Sequence, residues 1–136
     1  MGKKKLTKEM WAYIAGYVDG EGCVYVDSST HVLRLQINTC YPGILHWIHE
    51  NFGGPPVNPC RQRKQENHRN SYRWAISGLG LKPFLIGILP YAREKKSQIK
   101  LGLDYLASDD KLKKAEIAIQ IKALKRVIFY EKNITN

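Results

Sequence analysis

Apolar residues recur at two different spacings along this chain, and the switch between them marks its elements. Near the start Trp11, Ile14 and Val18 repeat at helical spacing behind a capping residue, Thr7, which predicts a helix that Gly20 and Gly22 end. The period then drops to two. Residues 23–26 lead into a turn at Asp27, Ser28, Ser29 and Thr30. Residues 32–38 then alternate strictly, with Leu33, Leu35 and Ile37 on one face and Arg34, Gln36 and Asn38 on the other. Pro42-Gly43 opens a second helix over 44–52, with Ile44, Leu45, Ile48 and Phe52 inward, and Gly53-Gly54-Pro55-Pro56 stops it. A second strand pair, 57–64 and 71–77, flanks a polar tip at 65–70. Its later strand turns Tyr72, Trp74 and Ile76 inward and Arg73, Ala75 and Ser77 outward. Pro59 and Cys60 interrupt the alternation of the earlier strand and leave its register open.

Helical spacing covers 81–89, breaks at Pro90, resumes over 93–106, and returns from 110 to about 130 behind the capping sequence Ser108-Asp109-Asp110. The last stretch carries Ile117, Ile121, Leu124 and Ile128 as a stripe, with Lys113, Lys114, Lys122, Lys125 and Arg126 around it. A helix that covers the core and a helix that adds phosphate contacts both fit that pattern. The order of helix, two strands, helix, two strands and further helices predicts an α+β fold: an antiparallel sheet with helices on one face and the other face open. At 136 residues the expectation is a single domain, 1–136, with a core over about 7–106 and a C-terminal helix over about 110–130.

Composition mainly excludes. With 43% hydrophobic and 25% charged residues, neither disorder nor a disulfide scaffold is signalled. No apolar run reaches the roughly 18 residues of a membrane span, and the basic start has no apolar segment behind it, so no membrane partner is expected. Cys23, Cys40 and Cys60 form no Cys-x-x-Cys pair and read as small apolar residues in a reducing compartment. His46 and His49, spaced i, i+3, lack a third ligand.

Charge alters the picture of the open face. Twenty-two Lys and Arg against twelve Asp and Glu give a net charge of +10, which favours a polyanion. Arg34, Gln36 and Asn38 are side-chain types that contact guanine and adenine edges in the major groove. With Arg61, Gln62, Arg63, Lys64, Arg69, Arg73 and Ser77 from the second strand pair, and Tyr25 and Asp27 from the first, they predict a DNA-contacting face.

The first helix is unusual. Ala12, Gly16 and Gly20 lie four apart, a stripe of nearly bare backbone, although glycine within a helix costs about 1 kcal/mol relative to alanine. Tight packing within one chain and packing against a second copy are both open. Asp19 and Glu21 sit where the helix dipole disfavours carboxylates. They read either as solvated turn acids or as carboxylates held ready for a hard divalent cation. Two copies meeting through the stripe would bring two Glu21 side chains together, which with metal ions would suit phosphodiester cleavage.

Residues 13–22, YIAGYVDGEG, resemble the LAGLIDADG motif of homing endonucleases, identical at Ala15, Gly16, Asp19 and Gly22. The resemblance extends over about 7–106 through FGG at 52–54, SYRWAISG at 71–78 and LPYAREKKSQ at 89–98. It implies an αββαββα fold whose saddle-shaped sheet sits astride double-stranded DNA. With one motif present, it implies a homodimer meeting through Ala12, Gly16, Asp19 and Gly20. It implies Mg²⁺-dependent hydrolysis within a long palindromic or near-palindromic site, leaving short 3′ overhangs, with Mn²⁺ or Ca²⁺ able to substitute for binding and no small-molecule substrate. Glu21 matches the metal-binding acid, Gly20 the neighbour whose carbonyl completes the metal shell, and Asp19 an acid that supports the helix junction. Lys95 matches a basic residue near the scissile phosphates, although Lys96, read as a DNA contact, is adjacent. Thr39 stands where relatives place a glutamine that orders water, a departure from the pattern. Intron homing in a bacterial cytoplasm or nucleoid, a phage-infected cell or an organelle matrix would follow. The rival implication is a non-cleaving DNA-binding regulator or an intron RNA maturase on the same fold.

Overall fold

The computed structural model describes residues 5–61 and 69–134, with side chains except those of Arg61 and of 126–134. In chain order it forms α1 (Lys8–Glu21), β1 (Gly22–Val26), β2 (Leu33–Thr39), α2 (Pro42–Phe52), β3 (Asn58–Arg61) and β4 (Ser71–Ile76). A short 3-10 turn (Gly78–Gly80) leads on to α3 (Leu81–Ile88), α4 (Lys96–Ala107) and α5 (Lys111–Ile134). The four strands make one antiparallel sheet in the order β1-β2-β4-β3. The αββαββα order with a further C-terminal helix is therefore present.

The alternation read from the sequence decides which face of the sheet is inside. Val24 pairs with Leu35, Leu35 with Ile76 and Ile37 with Trp74, and all five are buried together with Leu33. Burying a Val, Leu or Ile is worth about 1.5–3 kcal/mol, so a one-residue slip that turned this set outward would forfeit most of the sheet's stabilisation. Ile14, Ala15 and Val18 of α1, Leu45 and Ile48 of α2, Leu81, Phe84, Leu85 and Ile88 of α3, and Ile99 of α4 complete the core. Ile44, Phe52 and Tyr72, read as inward, are only half-buried at its margin.

Two glycine sites reflect packing that periodicity does not display. Trp11 is half-buried, edge-on to Phe52 at 4.9 Å, and its ring lies against Gly87, where a Cβ would come within 2.4 Å. Gly54, at φ +80°, backs onto the ring of Trp74, whose Nε1 donates to the Gly53 carbonyl at 3.0 Å. The Gly-Gly-Pro-Pro stretch thus both stops α2 and makes room for the buried tryptophan.

Most element ends lie within one or two residues of expectation, and larger differences fall in three places. β3 is Asn58–Arg61 within the predicted 57–64, with a register shift between Pro59 and Arg61, as a residue without an N–H demands. Residues 62–64 lie outside the described residues. α4 begins at Lys96 rather than 93, because the Arg93 and Lys95 amides donate to Asp19 instead of starting a helix. α5 runs on to Ile134, past the expected 130. Its start is capped as predicted, with Asp110 Oδ1 accepting from the Leu112 amide at 3.0 Å. Ile117 and Ile121 are buried. No helix among the described residues is long and apolar enough to cross a membrane.

Candidate functional site

The site is built at the corner where α1 becomes β1. α1 continues to Glu21, and Gly22 makes the junction by donating its amide to the Val18 carbonyl and turning at once into extended backbone. A Cβ on Gly22 would meet that carbonyl at 2.8 Å, so a glycine is required for helix and strand to join without a loop. This places Glu21 at the sheet's edge and leaves its carboxylate exposed. It makes no hydrogen bond or ion pair with a described side chain or loop.

Asp19 is handled differently. Its Oδ2 accepts from the Arg93 amide at 2.7 Å and its Oδ1 from the Lys95 amide at 3.1 Å. The Lys95 ammonium in turn donates to the Asp19 carbonyl at 2.5 Å. A cation at the C-terminal end of α1 compensates the dipole that two carboxylates there would otherwise oppose. Lys95, not Lys96, therefore sits against the end of α1. Lys96 lies further along, with Ala12, Pro90, Tyr91, Ala92 and Arg93 around a depression beside the helix. Thr39 ends β2, whose Ile37 pairs with Gly22, so it is near the same corner; its hydroxyl accepts from the Tyr41 amide at 3.2 Å.

The small-residue stripe is uncovered. Ala12, Gly16 and Gly20 are exposed, and a Cβ at Gly16 or Gly20 would meet nothing within 4 Å. Packing within the chain, one of the two readings of that stripe, is thereby ruled out among the described residues.

The second component is the open face of the sheet. Directly opposed residues share a face, so Tyr25 opposite Arg34, Cys23 opposite Gln36, Gln36 opposite Ala75, Asn38 opposite Arg73, and Arg73 opposite Asn58 all project outward. Tyr25, Asp27, Arg34, Gln36, Arg73 and Ser77 line one shallow depression of about 320 Å³ with Pro55, Pro56 and Asn58. The Tyr25 hydroxyl donates to Gln36 Oε1 at 3.1 Å, while Arg69, off the sheet, donates to the Tyr41 hydroxyl at 3.1 Å. Asp27 Oδ1 accepts from the Ser29 amide, the Ser29 hydroxyl and the Thr30 amide, and its Oδ2 lies 3.8 Å from Arg34 Nε. Those hydrogen bonds, the Ser29 hydroxyl first, hold its carboxyl down at about 2 from an ordinary 3.8.

The structure thus gathers Tyr25, Asp27, Arg34, Gln36, Asn38, Arg73 and Ser77 on or beside one face. Gln62, Arg63 and Lys64, and the side chain of Arg61, lie outside the described residues. Asn58 carries no signal in the sequence, and Lys125 reads there only as one of several basic residues on a helix that could cover the core or add phosphate contacts. The Lys125 ammonium reaches round from α5 to Cys23 Sγ at 2.9 Å and stands 6.0 Å from the Tyr25 ring centroid. Nothing in the local pattern signals that approach to β1, since it depends on where α5 lies. Among the described residues no three His, Cys, Asp or Glu side chains converge as a metal cluster.

No protein-family profile matches the chain, and no curated protein matches it either. Solved structures do. The homing endonuclease I-CvuI, crystallised with its target in the presence of Ca, is 20% identical with a TM-score of 0.60, over 90% of this chain and 82% of that one. The archaeal intron-encoded homing endonuclease I-Vdi141I, complexed with DNA, is 16% identical at a TM-score of 0.65, over 84% and 82%. The LAGLIDADG meganuclease I-AabMI, bound to uncleaved DNA, is 18% identical at 0.62, over 87% of this chain but 44% of its own. The chain has the LAGLIDADG homing endonuclease fold. Its sequence carries a single copy of the motif, at 13–22, on α1.

Proposed function

We propose that this chain is a homodimeric, sequence-specific DNA endonuclease that hydrolyses one phosphodiester on each strand of a palindromic or near-palindromic site with the help of Mg²⁺. The observation that carries this reading is the contrast at one corner: Asp19 is bonded into the fold, while Glu21, two residues on, is left exposed beside an uncovered stripe of small residues. A folding role accounts for the first carboxylate and not the second.

One Glu21 carboxylate and one Gly20 carbonyl are too few donors for a hard cation that takes about six oxygens. The donor set fits Mg²⁺ if a second copy brings its own Glu21 and the DNA contributes phosphate oxygens. When bound, the ion would lower the pKa of a water and stabilise charge on the attacked phosphate. The chain's own part is positional. Gly22 fixes Glu21 at the sheet edge, Asp19 and Lys95 lock α4 to the end of α1, and the Lys95 ammonium lies where it can shift toward a developing phosphate charge. The open face, carrying Arg34, Gln36, Asn38 and Arg73, would read bases in the major groove, and a two-fold dimer would read a symmetric site. Short 3′ overhangs and a role in intron homing belong to this reading.

The test is incubation of the parent and Glu21→Gln with a library of duplex sites in Mg²⁺ and in Ca²⁺. Double-strand cleavage by the parent in Mg²⁺, abolished in Glu21→Gln, with specific binding retained in Ca²⁺, is the expected result. Specific binding in both cations with cleavage in neither would leave a DNA-binding regulator; binding confined to RNA would leave a maturase. A monomeric mass in light scattering, with and without bound duplex, would remove the dimer.

A further inference from the structure

The turn between β1 and β2 is held from behind the sheet. Ser28, Ser29, Thr30, His31 and Val32 are all exposed, yet the loop is closed by six internal hydrogen bonds. Three converge on Asp27 Oδ1; the others are Asp27 N–H to the Val32 carbonyl at 2.9 Å, His31 N–H to the Asp27 carbonyl at 2.8 Å and Val32 N–H to the Thr30 hydroxyl at 3.4 Å. The resulting backbone puts His31 at φ 61°, the left-handed region that a residue with a Cβ rarely adopts and the only such case among the described non-glycine residues. A group from elsewhere stabilises it: the hydroxyl of Tyr105, on α4, donates to the His31 carbonyl at 2.5 Å. Tyr105 is 5% exposed, and Lys114 of α5 stands over its ring at 5.0 Å. The helix layer thus sends a part-buried hydrogen bond to an exposed polar tip.

We infer that Tyr105 is a positioning residue for recognition of the outer part of the DNA site, fixing the tip 28–31 in the conformation that meets the bases. This rests on the endonuclease reading above. β1 separates the tip from Glu21 by roughly 15–20 Å at the usual strand rise. The base pairs concerned therefore lie about five or more from the cut. A tip already in its bound shape loses less conformational freedom on binding, so affinity and discrimination at those base pairs depend on the strut that holds it.

Tyr105→Phe keeps the ring and removes the bond. In the free protein, hydrogen exchange at the Ser29 and Thr30 amides should quicken roughly fivefold, the effect of one net hydrogen bond. Binding in Ca²⁺ should weaken by a similar factor, with discrimination lost at the outer base pairs and kept at the inner ones, and the cleavage rate of the saturated complex in Mg²⁺ unchanged. His31→Gly accepts the left-handed backbone without help, so adding Tyr105→Phe to it should change discrimination by less than about twofold. Equal losses in the two backgrounds, a loss spread evenly over all base pairs, or unchanged exchange would overturn the inference. If the parent binds no duplex, the endonuclease reading falls, and the base-pair role of Tyr105 falls with it. Unchanged exchange in a parent that does bind removes Tyr105 alone.

Discussion

The two ends of β1 are tied to the same helix by opposite chemistry. At its start, an α1 side chain reaches the backbone of the α4 approach, with the Asp19 carboxylate accepting the Arg93 and Lys95 amides. Beyond its end, an α4 side chain reaches the backbone of the hairpin, with the Tyr105 hydroxyl donating to the His31 carbonyl. α4 has twelve residues, a rod of about 18 Å, which matches the extent of the strand and turn it braces. The tie at the start leaves a neighbouring carboxylate, Glu21, exposed; the tie at the far end leaves a polar loop exposed. One end is built to present a charge and the other a shape, so damage to the first should appear in the rate and damage to the second in affinity.

The largest effect should come from Glu21→Gln. On the proposed reading Glu21 holds the metal; its loss would then remove several kcal/mol of transition-state stabilisation, so single-turnover cleavage should fall at least about a thousandfold while duplex affinity in Ca²⁺ stays within about threefold. A matching loss of affinity would mean that Glu21 serves binding, and the contrast between the ends would collapse. Asp19→Ala comes next. It leaves the Arg93 and Lys95 amides, just ahead of α4, without their charged acceptor, a cost of about 1.5–3 kcal/mol that urea unfolding should register. An unchanged midpoint would show that the brace carries no strain-bearing role at this end.

Asp27 tests the far end through pH. Its carboxyl is lowered to about 2 in the folded chain from an ordinary 3.8, so folding favours the ionised form. The resulting stabilisation is complete above pH 4 and fades as pH falls through about 2. The difference in melting temperature between the parent and Asp27→Asn should accordingly be constant from neutral pH down to 4 and shrink toward pH 2. A difference that persists at pH 2 would mean that the carboxylate's hydrogen bonds do not hold the turn.

The features legible in the sequence are those that depend on near neighbours. Alternation at 32–38 and 71–77 gave the inner and outer faces of β2 and β4, because a half-buried strand must alternate. The spacing in α1 displays the stripe of small residues and the two acids at its end, but that the stripe is uncovered and Glu21 exposed is visible only in the fold. Both ties of α4 were beyond reach, because their bonds join residues 74 to 76 positions apart and involve backbone atoms, which no residue pattern reports. For the same reason the sequence pattern starts α4 three residues early. Helical spacing continues through 93–95, but the amides there already have an acceptor in another element. Lys95 and Lys96 are equivalent in a sequence, and only the fold distinguishes the one lying against α1.

Lys125 probes the stretch between the two ends and should have the smallest effect. Its ammonium rests on a thiol and near a tyrosine ring, weaker partners than a phosphate oxygen, and both belong to the outer face of β1. If duplex DNA lies along that face from the Glu21 corner to the hairpin tip, its backbone passes within reach of this lysine. Lys125→Gln should then lower affinity equally for every sequence and reduce the slope of log affinity against log salt by about 0.9, the signature of one lost phosphate contact. Sequence discrimination and the single-turnover rate should not move. An unchanged slope would put the backbone elsewhere, and the two ends of β1 would then meet DNA independently rather than along one continuous track.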